Sequence, residues 1–353
     1  MIFLKKYRKY ATFARSYIKG SIRDTAGFVR IIPTDRCNLK CQYCWQRRDD
    51  SYEMKWNEFL DYLEKAEQLG VGLITFLGGE PMLWGRIYDA IAACTERHIL
   101  TDMTTNGTLL NRETILKLSK SGLDYLNIST DGLKISSISK KNKLVRNDLI
   151  GDLASAKKKY GMHTRLNAVI YNDNFDEIKS LMEFSKNNDI QLSIGYVIPP
   201  INVGEPADSE IYFSLDDRER LQEIIADIVS KKRAGYPIID PEAYFKNIFL
   251  FMHREVFWNC NYPTRYGWIN IAPNGKIRSC TKKMDELDIA FLDLNSADIK
   301  ALRSKMKRNL ANCNVDCYSN CAYDSAYYVK NKLQMVAKIF KRFRMPNINS
   351  RSH

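Results

Sequence analysis

Three cysteines fall within eight residues of this 353-residue chain: Cys37, Cys41 and Cys44, in "CNLKCQYC". A second group, Cys260, Cys280, Cys313, Cys317 and Cys321, lies toward the other end, and Cys94 stands apart. Thiolates this close in sequence suit an iron–sulfur cluster, because one short loop must reach several irons. Three ligands leave one iron open, and an open position marks a reactive metal centre. Two other readings compete. On a helix the spacing would line one face, which small buried hydrophobes would fill equally well. Zinc is the other rival, although a structural zinc site wants four protein ligands.

The rest of the chain must position these groups. Its composition, 45% hydrophobic and 27% charged, is that of a soluble globular protein. No apolar run approaches the roughly 18–20 residues of a membrane span. The N-terminus lacks the apolar core and small-residue cleavage site of a secretory signal. A cytoplasmic location is expected, where nine cysteines read as metal ligands before disulfides.

Strand-like runs occur at 27–33, 71–77, 99–105, 123–130, 163–170 and 190–198. Helical patterns lie between them near 55–69, 85–97, 111–121, 144–160 and 174–187. Six strand–helix units imply parallel strands with right-handed crossovers. Several strands are apolar nearly throughout, as strands covered on both faces should be. The expected class is α/β: a partial (β/α)6 barrel with a small C-terminal extension, a doubly wound sheet being the other form that fits. Five segments follow: 1–26, a basic amphipathic lead; 27–200, the barrel core; 201–258, a connecting helical region; 259–325, an irregular cysteine-rich extension; and 326–353, a basic tail.

The motifs at successive strand ends are similar to those of the radical S-adenosylmethionine (SAM) superfamily. "CNLKCQYC", with Tyr43 before the last cysteine, resembles the family's cluster motif. "LGGEP" (77–81), "TTNG" (104–107) and "ISTDG" (128–132) follow the second, third and fourth strands, where the family binds SAM. The resemblance implies that Cys37, Cys41 and Cys44 hold a [4Fe–4S] cluster whose open iron is chelated by SAM. It also implies SAM contacts from Tyr43, Gly78, Gly79, Glu80, Asn106, Ser129 and Asp131. The catalytic residues proper are not readable. Asn167 and Tyr196 either line the pocket or play buried structural roles.

The stretch from Cys260 to Cys280, in which four residues separate Gly275 from Cys280, resembles a SPASM/twitch extension, as does the later C-x3-C-x3-C. That implies one auxiliary [4Fe–4S] cluster drawn from Cys260, Cys280, Cys313, Cys317 and Cys321, with one cysteine to spare. A zinc ribbon is the alternative, and Cys94 reads as a core residue. The whole resemblance, over about 27–325, implies reductive SAM cleavage, hydrogen-atom abstraction from a substrate, and a flavodoxin- or ferredoxin-type electron donor. A non-catalytic iron–sulfur carrier or zinc-bound interaction protein would not need the SAM-binding motifs.

The net charge of +13 sits in the tails: residues 1–20 hold six Lys/Arg and 325–353 hold seven, with no acid in either. Phe3, Tyr7, Tyr10, Ala14 and Tyr17 recur at helical spacing beside this charge, and Val329, Leu333, Val336, Phe340 and Phe343 do the same. Such faces suit an anionic membrane surface, hence a lipid or lipid-linked substrate and a peripheral location on the inner face of the membrane. Packing of both tails on the barrel is the alternative. A peptide or protein maturase is the competing enzyme, although only about 26 residues precede the first strand. No nucleic-acid partner is expected, since the core is formally neutral and carries no RNA-binding module.

Overall fold

Six of the apolar runs form parallel strands: β1 (Phe28–Ile31), β2 (Leu73–Phe76), β3 (Leu100–Thr105), β4 (Tyr125–Ser129), β5 (His163–Ile170) and β6 (Gln191–Tyr196). The computed structural model describes residues 2–44, 52–134, 136, 138–141, 147–198, 211–213, 215–252, 268–280, 285–311, 318–320 and 323. Helix α1 (Ile2–Ile22) precedes β1. Helices α2 (Trp56–Gln68), α3 (Ile87–Glu96), α4 (Arg112–Ser121), α5 (Asn147–Tyr160) and α6 (Phe175–Asn187) connect the strands. Their ends follow local chemistry. Asn111 caps α4 by accepting from Thr114 N at 2.9 Å, and Gly122 closes it in the left-handed conformation at φ 91°.

After α7 (Arg218–Arg233) and α8 (Glu242–Met252) the chain departs from expectation. The C-terminal region was expected to be an irregular appendage. Instead β7 (Ile269–Ile271), β8 (Lys276–Arg278) and β9 (Glu286–Ala290) extend the barrel's own sheet, ahead of α9 (Ile299–Ala311). The strand order is β6-β5-β4-β3-β2-β1-β7-β8-β9, with β7 parallel to β1 and β8 and β9 antiparallel. Strands of three residues are too short to show a period of two, and β7 pairs with a strand about 240 residues earlier.

One strand face is apolar. Val29, Ile31, Ile74, Phe76, Met103, Leu126, Ile128 and Leu166 pack under the helices with Phe59, Leu63, Ile91 and Leu118. Alternate positions on the other face are polar and touch one another. Asn127 donates to Asp102, Arg165 lies 3.9 Å from Asp102, and Arg30 lies 4.6 Å from the Trp268 ring. The strands thus alternate more than their apolar appearance suggested, and a polar face suits a substrate-facing interior.

Helix α1 packs across the N-terminal ends of the strands. Phe13 and Tyr17 join Phe28, Leu73 and Trp268 in a small cluster. Close approach is possible because Gly72 has no Cβ; one there would lie 2.8 Å from Ser16 Cβ and 2.9 Å from Phe13 Cα. Lys9 is 2% exposed, pairs with Asp124, and donates to the Gly122 carbonyl at 2.8 Å. The expected aromatic stripe is therefore divided. Tyr17 faces the barrel, whereas Tyr7 is exposed. The C-terminal stripe from Val329 lies outside the described residues. No helix among the described residues is long and apolar enough to cross a membrane.

Candidate functional site

The loop after β1 carries the first cysteine trio. It has little regular structure of its own, so neighbouring strand ends must shape it. The turn after β2 does most of this through the backbone. Gly79 N donates to Thr34 O at 3.1 Å, and Glu80 N donates to Arg36 O at 2.8 Å. A Cβ on Gly78 would overlap the Thr34 carbonyl, and one on Gly79 would overlap the Asp35 and Arg36 carbonyls. Gly78 also has φ 143°, a conformation that favours glycine. The backbone that these glycines admit is thus the cysteine loop itself.

Glu80 is fully buried. Its Oε1 accepts from Met82 N at 3.0 Å and Thr105 Oγ1 at 2.8 Å, and its Oε2 accepts from Asn106 N at 2.7 Å. Burial raises its pKa, opposed by these three bonds. The carboxylate already ties the β2 turn to the end of β3, leaving one lone pair on Oε2 for any further donor. Asn106 continues the link, donating to Asn38 Oδ1 at 2.8 Å and to Cys37 Sγ at 3.7 Å. Cys37 Sγ also accepts from Leu39 N at 3.4 Å.

Tyr43 and Asp131 are brought together. Tyr43 donates to Asp131 Oδ2, which also accepts from Ser139 Oγ at 2.6 Å, while Asp131 Oδ1 accepts from Val169 N at 2.9 Å. Lys141 Nζ lies 2.8 Å from Tyr43 Oη and 3.6 Å from Asp131. Burial alone would lower the Lys141 pKa, but the charges of Asp131, Tyr43 and Cys41 hold it well above its ordinary value. Burial pushes Tyr43 well up, helped by Asp131. The aspartate thus joins the cysteine loop to the ends of β4 and β5. Ser129, at the end of β4, is half-buried and sits opposite Asn167 on β5.

Tyr196 is buried, and its hydroxyl accepts from Tyr318 N at 2.6 Å, so it anchors the C-terminal segment. Cys94 is fully buried in α3, and burial pushes its thiol up to about 12, as a core cysteine. Cys280 follows β8 and is half-buried. Cys260, Cys313, Cys317 and Cys321 lie outside the described residues.

Sequence reasoning missed three charged residues that hold these loops: Asp35, Lys141 and Arg278. Asp35 and Arg278 form a buried bidentate pair at 3.1 and 2.8 Å. Each stands two residues before a cysteine, and that shared position was the available signal.

Among the described residues no three sulfur, imidazole or carboxylate groups are close enough to hold one metal ion. The loop's fit to a cluster rests on its donor chemistry. Its three thiols are free of disulfides and at least partly exposed. Burial raises the pKa of Cys37 and Cys41. Two hydrogen bonds oppose this at Cys37, and the Lys141 charge opposes it at Cys41. Burial prevails at both, so the fit rests on three free, partly exposed thiols carried by one short loop.

Residues 31–185 match the radical SAM superfamily. GTP 3′,8-cyclase of Helicobacter pylori (strain HPAG1) is 28% identical over 303 residues, spanning 81% of this chain and 89% of that protein. PqqA peptide cyclase of Granulibacter bethesdensis is 29% identical over 163 residues, 42% of this chain and 41% of its own length. Two solved structures share the fold. Streptococcus suis SuiB bound to precursor peptide SuiA has TM-score 0.58 at 23% identity, covering 81% of this chain and 67% of that one. Native anSMEcpe with bound AdoMet and Kp18Cys peptide has TM-score 0.59 at 18% identity, covering 88% and 98%. The chain is thus similar, over residues 31–185, to the radical SAM superfamily, enzymes that use a [4Fe–4S] cluster with SAM, and over most of its length to a GTP 3′,8-cyclase.

Proposed function

We propose that Cys37, Cys41 and Cys44 ligate the cluster, and that this chain uses it to abstract a hydrogen atom from a substrate held at the polar face of the sheet. When bound, the cluster and SAM supply reductive cleavage to methionine and a 5′-deoxyadenosyl radical, with the electron expected from a flavodoxin- or ferredoxin-type donor. The chain's own residues orient the reactants. Glu80 and Asn106 fix the β2 and β3 ends against Cys37. Asp131, Tyr43 and Lys141 fix the other side of the loop, and Ser129 places a hydroxyl at the rim. The observation that carries this reading is that the glycine turn, Glu80, Asn106 and Asp131 all converge on the one loop that bears the cysteine trio.

Cys280, with Cys260 and two of Cys313, Cys317 and Cys321, is proposed to hold one auxiliary [4Fe–4S] cluster. Support comes from the G-x4-C spacing on the β8 hairpin. The relatives' names cover a nucleotide and a peptide, so what they share is the radical-generating half. The test is anaerobic reconstitution with iron and sulfide, then dithionite and SAM. Wild-type protein should form 5′-deoxyadenosine, and Cys41→Ala should lower its yield at least about 10³-fold. Equal yields from the two proteins would refute the assignment.

The outward face of α1 favours a second element of the reading, attachment to an anionic membrane and access to a lipid-linked substrate. Tyr7, Ile18 and Ile22 are 64%, 58% and 73% exposed there, among exposed Arg8, Arg15, Lys19 and Arg23. Each basic residue near such a surface contributes about 1 kcal/mol. The full chain is expected to co-sediment with vesicles containing phosphatidylserine but not with neutral ones. Arg8→Glu/Arg15→Glu should weaken that binding at least about tenfold. Equal binding to both vesicle types would exclude the charge-based attachment.

A further inference from the structure

We infer that the Asp35–Arg278 pair is a positioning device for the cysteine loop, which makes the C-terminal hairpin a working part of the SAM site. The inference rests on the assignment of Cys37, Cys41 and Cys44 as the SAM-cluster ligands. The two side chains are 3% and 1% exposed. Arg278 Nη1 donates to Asp35 Oδ1 and Nη2 to Oδ2, so both the separation and the plane of the groups are set.

Each partner transmits its position to a cysteine. Asp35 lies in the segment 34–36, whose carbonyls receive the bonds from the glycine turn, and Cys37 follows. Arg278 ends β8 and also donates to Glu286 Oε1 on β9 at 3.2 Å. Its carbonyl accepts from Asn270 Nδ2 on β7 at 3.2 Å. The next residue, Ser279, accepts from Asn309 Nδ2 on α9 at 2.8 Å, and Cys280 follows. A rigid chain of contacts therefore runs from α9 and the hairpin, through the guanidinium–carboxylate fork, to the first cysteine.

Stability is not a sufficient reason for such a pair. Buried ion pairs often contribute little over well-packed apolar residues, whereas their fixed geometry gives specificity. The geometry here joins the loop to a strand 243 residues later in the chain. Lysine keeps the charge at position 278 but cannot form the fork.

The test uses the full-length chain in two states. In metal-free protein, alkylation of each cysteine by iodoacetamide is followed by peptide mass spectrometry. Arg278→Met is expected to speed modification of Cys37 at least about fivefold, while buried Cys94 stays protected and reports an intact core. In reconstituted protein, the same variant is expected to weaken SAM binding at least about tenfold and to alter the spectral change that SAM induces in the reduced cluster. Lys276→Met, which breaks only the exposed Lys276–Asp288 pair on the same hairpin and keeps the fork, should match wild type in both readouts. Should Arg278→Met expose Cys94, Arg278→Lys replaces it, with the same losses expected. Wild-type Cys37 reactivity and SAM affinity in a variant whose Cys94 is protected would overturn the proposal. Cys41→Ala is run alongside: if it still binds SAM like wild type, the ligand assignment fails, and the metal-free readout still decides the role of the fork.

Discussion

Gly79→Ala should leave the barrel folded and abolish its chemistry. The new Cβ would meet the carbonyl oxygens of Asp35 and Arg36, which are backbone atoms and cannot rotate away. The loop must move instead, breaking the bonds from Gly79 N to Thr34 O and from Glu80 N to Arg36 O. Cys37 stands one residue beyond the displaced segment. A misplacement of about 1 Å is enough to cost about 10²-fold in rate. Iron bound after reconstitution and 5′-deoxyadenosine formed per iron are the measurements, with far-ultraviolet circular dichroism as the control for folding. Full activity would show that the loop is not held by this turn. Gly85→Ala is the matched control, because a Cβ there meets nothing within 4 Å.

The second large effect is on stability. Lys9→Met should destabilise the protein by about 3–5 kcal/mol, because it leaves the Asp124 carboxylate buried without its counter-charge. Asp124 would keep only its bonds from Thr101, N at 2.9 Å and Oγ1 at 3.3 Å. Urea unfolding checks this through the midpoint at constant slope. Adding Asp124→Asn should recover a large part of the loss, since the amide oxygen still accepts from Thr101 N while no charge remains buried. A loss below about 1 kcal/mol, the range of exposed ion pairs, would mean that Lys9 is solvated.

These two residues mark the limits of what the sequence discloses. The six β/α units were legible because apolar runs alternate with helical patterns, a local signal. The glycine–glycine–glutamate turn was legible as a close-approach motif, but what approaches it was not. The order of strands in space decides that, and it brings residues 34–36 against Gly79. Nothing in "KKYRKY" sets Lys9 apart from its neighbours, so its burial is not legible there. Its partner lies 115 residues away. The same distance problem hid Arg278, which looks like any surface residue of a short strand until β7 is seen beside β1. That Glu80 and Asp131 belong to motifs at successive strand ends was legible. That most of their acceptor positions are already filled by the protein itself was not.

The pairing of β1 with both β2 and β7 also has a consequence in time. During synthesis β1 finds β2 within about 45 residues, but its other edge waits about 240 residues for β7. At roughly 5–20 residues per second that delay is about 10–50 s. Throughout it, the cysteine loop lacks the arginine that anchors it, and an open strand edge is exposed to other chains. The early half of the chain can therefore build its helices and most of its sheet without completing its reactive centre. Insertion of the proposed cluster belongs after the β7–β8 hairpin has docked, and chaperone protection of the nascent β1 edge belongs before it.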